Sequence, residues 1–93
     1  MIDLKVLRKH IYKCRTKPNK EPVFIIKYCE HSTGHRLFHG YFNHQQIDSF
    51  LNSSTDYAMK SLDFHIIDGP IRKIKIKYIE DYWFSKTIHS SKL

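Results

Sequence analysis

The 93 residues make a chain of 11.2 kDa, enough for one hydrophobic core and not for two. Apolar residues at 41% and charged residues at 27% give a globular balance and exclude a disordered chain, and no apolar run approaches the roughly 20 residues that span a bilayer. Lys and Arg outnumber Asp and Glu 16 to 9, for a net charge of +7 and a pI near 9.5, which points to a polyanionic partner or an acidic protein surface.

The charge is unevenly placed. Residues 1–20 hold seven Lys/Arg against Asp3 alone, a net of +6, and no continuous apolar stretch of the kind a secretory signal needs. Residues 21–60 set three basic groups against four acidic ones, and residues 61–93 set six against four. The amino-terminal end is the electropositive pole. Twelve Ile, twelve Lys and a single Ala suggest an AT-rich coding sequence, which favours a phage or mobile-element accessory protein. Two cysteines cannot form a disulfide framework and fit a reducing, cytoplasmic setting.

Residues 2–15 support two readings. Ile2, Leu4 and Val6 alternate as a strand does, whereas Leu4, Leu7, Ile11 and Cys14 fit a helical stripe capped by Asp3. We favour a strand over residues 8–15, returning antiparallel into Val23 so that Cys14 lies opposite Val23 and Cys29 opposite Arg8. Val23 to Glu30 (VFIIKYCE) is rich in β-branched and aromatic residues, and His35 to Phe42 follows a Ser32-Thr33-Gly34 turn. That hairpin sets His31 against His35 and Cys29 against Leu37, with Phe24, Ile26, Tyr28, Phe38 and Phe42 on the core side.

Asn43 caps a helix in which Gln46 has capping-box spacing and Ile47, Phe50 and Leu51 form the apolar stripe. Ser53-Ser54-Thr55-Asp56 breaks or re-caps it. A second hairpin joins Leu62, Phe64 and Ile66 through Asp68-Gly69-Pro70 to a strand in which Ile74, Ile76 and Tyr78 alternate with Lys73, Lys75 and Lys77. The expected order is β-β-β-α-β-β. This is an α+β domain over residues 1–84, with an antiparallel sheet of four to five strands and one main helix. Residues 85–93 are expected to fray.

Four constellations bear on function. The lysine row Lys73, Lys75, Lys77 has a strand spacing of about 6.6–7 Å, close to the interval between successive phosphates. Tyr82 and Trp83 follow it as a candidate stacking platform, although edge strands also carry lysines simply to block pairing. The amino-terminal cluster Lys5, Arg8, Lys9, Lys13 and Arg15 is the second basic candidate.

Third, His31, His35 and His39 are candidate acid/base groups for a metal-independent ribonuclease, with Lys27 or Lys75 opposing the transition-state charge. His35 and His39 lie about 13 Å apart on a strand, too far to share an ion, so no metal site and no cofactor is expected. Scattered carboxylates and the absence of a Gly-rich phosphate loop leave other nuclease and nucleotide chemistries without support. Fourth, Ser91-Lys92-Leu93 matches a peroxisomal import tripeptide, and nothing else in the chain points that way.

The leading expectation is a non-enzymatic module that contacts nucleic-acid phosphates with lysines. The alternatives are an inhibitor or adaptor that binds a host protein, such as a defence nuclease or a polymerase, and the small ribonuclease.

Overall fold

Asp3 decides the first element. Its carboxylate accepts from the backbone N–H groups of Lys5 at 2.9 Å and Val6 at 3.4 Å, and an α-helix, α1, runs Leu4–Cys14. Leu4, Leu7 and Ile11 are buried on one side of it, while Val6 is exposed. The strand expected over residues 8–15 is therefore a helix. The 3.6-residue period holds from Leu4 to Ile11, whereas the two-residue alternation ends at Val6.

The computed structural model describes residues 1–30, 34–53 and 56–89. After α1 come β1 (Lys20–Tyr28), β2 (Arg36–Phe42), α2 (His44–Ser53), β3 (Ser61–Ile66), β4 (Ile71–Lys75), a 3₁₀ turn (Ile76–Tyr78) and β5 (Ile79–His89). The domain is α+β, with two helices and a five-stranded antiparallel sheet in the order β4-β3-β2-β1-β5. Among the described residues no helix is long and apolar enough to cross a membrane.

Three expectations change. β1 takes β5 as its second partner rather than the amino-terminal segment, so residues 85–89, expected to fray, continue a strand. Tyr82, Trp83, Phe84, Thr87 and Ile88 supply the β-branched and aromatic content that makes it one. The first hairpin pairs Lys27 with Leu37 and Tyr28 with Arg36, displaced two residues from the expected register. A shift of two keeps every side chain on its expected face. With residues 8–14 helical, Cys14 does not lie opposite Val23 nor Cys29 opposite Arg8, and no disulfide joins the two cysteines. His31, the Ser32-Thr33 part of the turn, Ser54-Thr55 and Ser91-Lys92-Leu93 lie outside the described residues.

The strand read as continuous from Ile71 to Ile79 breaks after Lys75. There β3 ends, because Ser61 is the last partner, and the chain must leave the edge. It crosses in three residues to β5 on the far edge. Four residue steps reach about 14 Å at most, while four strand spacings in a flat sheet come to about 19 Å, so the sheet curls. The crossing is tied on both sides. Cys29 N–H donates to the Tyr78 carbonyl at 3.0 Å and Ile76 N–H to the Lys60 carbonyl at 3.1 Å, while Lys75 N–H donates to the Tyr28 hydroxyl at 3.2 Å.

The concave side holds the core: Leu4, Leu7 and Ile11 of α1 and Ile47 of α2 pack with Phe24, Ile26, Phe42, Leu62, Phe64 and Ile74. The Asn43 side chain caps α2 by accepting from Gln45 and Gln46 N–H groups at 3.1 and 3.2 Å. Gln46 does not close a capping box. Its side-chain carbonyl instead accepts from Asp63 N–H at 2.7 Å, fastening α2 to β3.

β2 and β3 approach closely at Gly40. A Cβ there would sit 2.2 Å from the His65 carbonyl oxygen and 2.7 Å from the Phe64 ring. Gly40→Ala is therefore expected to cost about 1–3 kcal/mol or more, since backbone has to move to relieve the overlap. Urea denaturation checks this, and an unchanged midpoint would contradict the close approach of β2 and β3.

Candidate nucleic-acid interface

Burial of Leu4, Leu7 and Ile11 fixes the rotation of α1 and so decides which charges face water. Lys5, Lys9 and Lys13 recur every fourth residue on the exposed side, about 6 Å apart along the axis. None of the three has an ion-pair partner among the described residues.

The arginines of this segment are paired with carboxylates of the protein itself. Arg8 Nε donates to Asp48 Oδ1 at 2.5 Å, and the Tyr12 hydroxyl donates to Asp48 Oδ2 at 2.5 Å, joining α1 to α2. Burial pushes the Asp48 carboxyl up, but the Tyr12 and Arg8 hydrogen bonds and the Arg8 charge outweigh it and hold the group below its ordinary 3.8. Arg15 Nε donates to Glu21 Oε1 at 3.2 Å and its Nη2 to the Pro18 carbonyl at 2.9 Å. Glu21 is only 2% exposed, and its Oε2 has no hydrogen-bond partner among the described residues. Arg15 therefore holds a buried carboxylate and is not a free phosphate contact.

The row read at Lys73, Lys75 and Lys77 does not survive as a row. Lys73 and Lys75 lie on β4, on the convex side that Ile74 turns away from, whereas Lys77 falls in the 3₁₀ turn. Lys73 pairs with Asp63 at 3.2 Å, and the Lys75 and Lys77 ammonium groups lie 5.8 and 4.9 Å from the centre of the Tyr78 ring. Lys73 and Lys75 thus sit on the face and edge opposite α1. The two basic sets read from the sequence do not meet.

Tyr82 and Trp83 also part company, because neighbours on a strand point to opposite faces. Tyr82 turns to the helices, where its hydroxyl lies 2.7 Å from His10 Nδ1. Trp83, opposite Ile25, is 41% exposed on the convex side. There Tyr41 and His65 stack with ring centres 4.7 Å apart.

Of the candidate acid/base histidines, His35 forms an ion pair with Glu80, and His39 is exposed on β2 opposite Ile25. No hydrogen bond or ring contact joins the two. Among the described residues no group of three or more His, Cys, Asp or Glu has the geometry to hold a metal ion.

Sequence reasoning missed a cleft of about 230 Å³ between β2 and β4, beside the Tyr28 end of β1. Arg36, Arg72, Phe38 and Tyr28 are among its walls, and the Arg72 guanidinium lies 4.9 Å from the centre of the Phe38 ring. One signal was readable. Arg36 shares the parity of Phe38 and Phe42, and Arg72 that of Ile74, so both point to the core side of their strands. Their convergence is a product of the curl.

Comparison with protein-family models, with curated proteins and with solved structures returned no significant match to this chain.

Two outcomes test these assignments. Arg15→Gln is expected to destabilise the protein by about 2 kcal/mol, because it strands the Glu21 carboxylate without its charged donor. A midpoint in urea equal to that of the unaltered protein would count against this. Asp48→Asn is expected to lower the thermal midpoint at neutral pH. A carboxyl whose folded pKa is depressed contributes stability above its ordinary 3.8 and loses it as pH falls through the lower folded value. The difference from the unaltered protein should therefore shrink in acid, and a difference independent of pH would contradict the ion-pair origin.

Proposed function

We propose that the protein is a small, non-enzymatic module that binds nucleic acid through backbone phosphates, with the outer face of α1 as its principal contact surface. One observation carries the reading. Lys5, Lys9 and Lys13 stand in line on a rigid helix and have no ion-pair partners among the described residues, while the neighbouring Arg8 and Arg15 are committed to Asp48 and Glu21. Lysines act on phosphates as point charges and carry little base information, so recognition by this face is weakly sequence-specific.

A second reading, an inhibitor or adaptor that covers an acidic protein surface, draws support from two exposed aromatics on the β5 edge, one on each face of the strand. Trp83 is 41% and Phe84 46% exposed, and aromatic residues of this kind anchor protein interfaces.

The two readings separate by salt dependence and by substitution. Affinity for random duplex is expected on the order of 10⁻⁴–10⁻⁶ M at physiological salt and to fall steeply as salt rises. Lys5→Gln, Lys9→Gln and Lys13→Gln combined keep helix propensity nearly unchanged. They should reduce the slope of log affinity against log salt by up to about 2.7, roughly 0.9 for each phosphate no longer neutralised. The same change at Lys73, Lys75 and Lys77 should leave the slope nearly intact. Salt-independent binding, or no binding to a large excess of DNA or RNA, would favour the protein partner.

A further inference from the structure

The chain has four arginines, and their environments differ in kind. Arg8 and Arg15 are neutralised by Asp48 and Glu21, whereas Arg36 and Arg72 have no carboxylate at ion-pair distance among the described residues. Both border one cleft, and the packing of the core does not account for Arg36 there.

The cleft has the parts of a nucleotide site. Its walls include the Tyr28 and Phe38 rings, a low-dielectric surface beside which a charge interaction is stronger than in open water. The Arg72 guanidinium lies against one of these rings, so its planar fork is partly ordered before any ligand arrives. Arg36, opposite Tyr28 on the neighbouring strand, stands at the rim beside it. Lys73, paired with Asp63, and Glu30 also line the cleft. A carboxylate there repels phosphate and accepts hydrogen bonds from base amino or imino groups, so it orients the two halves of a nucleotide rather than excluding it. At about 230 Å³ the space is smaller than the roughly 300–1,000 Å³ of most small-molecule sites, which suits one unit of a strand rather than a whole cofactor. A base already paired and stacked in a duplex cannot enter a concave cleft.

We propose that the cleft between β2 and β4 takes one unpaired nucleotide of a single-stranded nucleic acid, with its phosphate on Arg36 and Arg72 and its base against the Arg72–Phe38 stack. This rests on the nucleic-acid reading and deepens it: α1 supplies unselective phosphate contacts, and the cleft supplies a preference for single strands.

The test is a set of anisotropy titrations on the full chain and on Arg36→Gln, Arg72→Gln and Arg72→Lys, with thermal melts to confirm folding. The probes are labelled oligothymidylate and oligouridylate of about ten nucleotides and a random duplex of about twenty base pairs. UMP and inorganic phosphate serve as competitors. Each Gln change is expected to weaken single-strand binding by about tenfold or more while altering duplex binding by less than about twofold. Arg72→Lys should fall nearly as far as Arg72→Gln, because an ammonium group keeps the charge and loses the stacking plane.

Single-strand binding unchanged in both Gln variants would overturn the cleft proposal and leave the α1 reading standing. Failure of the unaltered protein to bind any of the three nucleic-acid probes at low salt would remove both. UMP or phosphate competing at the affinity of the oligonucleotides would make the cleft a free-anion site and overturn the strand assignment. Capture of an acidic host protein, lost on Arg36→Gln with no oligonucleotide bound, would assign the cleft to a protein partner and overturn it too.

Discussion

The crossing at Ile76–Tyr78 is the constraint from which the rest of the structure follows. It joins the two edges of a five-stranded sheet with three residues. A flat sheet would place those edges about 19 Å apart, so the strands must curl to bring β4 and β5 within reach. The curl makes one side concave, and Ile76 and Ile79, both fully buried, seal the end where the chain crosses. The Tyr28 hydroxyl accepting from Lys75 N–H, and Cys29 N–H donating to Tyr78, tie the crossing to the end of β1. The two helices cover the concave core elsewhere, joined to each other by Arg8, Tyr12 and Asp48 and to the sheet by Gln46 and Asp63.

This geometry sorts the excess positive charge into separate classes. Burying Leu4, Leu7 and Ile11 turns Lys5, Lys9 and Lys13 outward. Drawing α1 against α2 and β1 commits Arg8 and Arg15 to structural work, since leaving a buried Glu21 without a charged donor would be costly. Curling the sheet then brings Arg36 and Arg72 to the rim of one cleft. Lys73 and Lys75 remain on the convex side, where a lysine-bearing edge strand resists pairing with other chains. Net charge alone treats all sixteen basic residues as equivalent. Their partners make them unequal.

Part of the site was legible from the residues and part was not. The amino-terminal basic cluster is apparent from counting, and the helical stripe Leu4, Leu7, Ile11 and Cys14 with its Asp3 cap was readable beside the strand alternative. What counting cannot supply is which of those bases are already spent, because Asp48 and Glu21 lie 40 and 6 residues away from their partners in sequence. The Lys73–Lys77 row shows the opposite failure. Its two-residue period is unbroken, yet the strand stops where its neighbour stops, and an alternating sequence carries no mark of where a partner ends. Tyr82 and Trp83 lie side by side in the chain and on opposite faces of β5.

The sequence by itself determined the α+β class, the hairpin that places Phe24, Ile26, Tyr28 and Phe42 in the core, the Asn43 cap of α2 and the Asp68-Gly69 turn between β3 and β4. These are local matters, set by side-chain period, capping chemistry and the φ +56° that Asp68 adopts. The Asp3 cap and the Leu4, Leu7, Ile11 stripe were local signals for the helix over residues 4–14, and tertiary structure alone decided that the place expected for this segment in the sheet goes to β5. Pairing between strands is a long-range competition. β1 has one open edge, and the 79–89 segment, with Tyr82, Trp83, Phe84 and Ile88, fills it with more β-forming residues than the lysine-rich amino terminus offers. The same long-range closure formed the cleft, because Arg36 and Arg72 are 36 positions apart in sequence and only a curled sheet brings both to one wall.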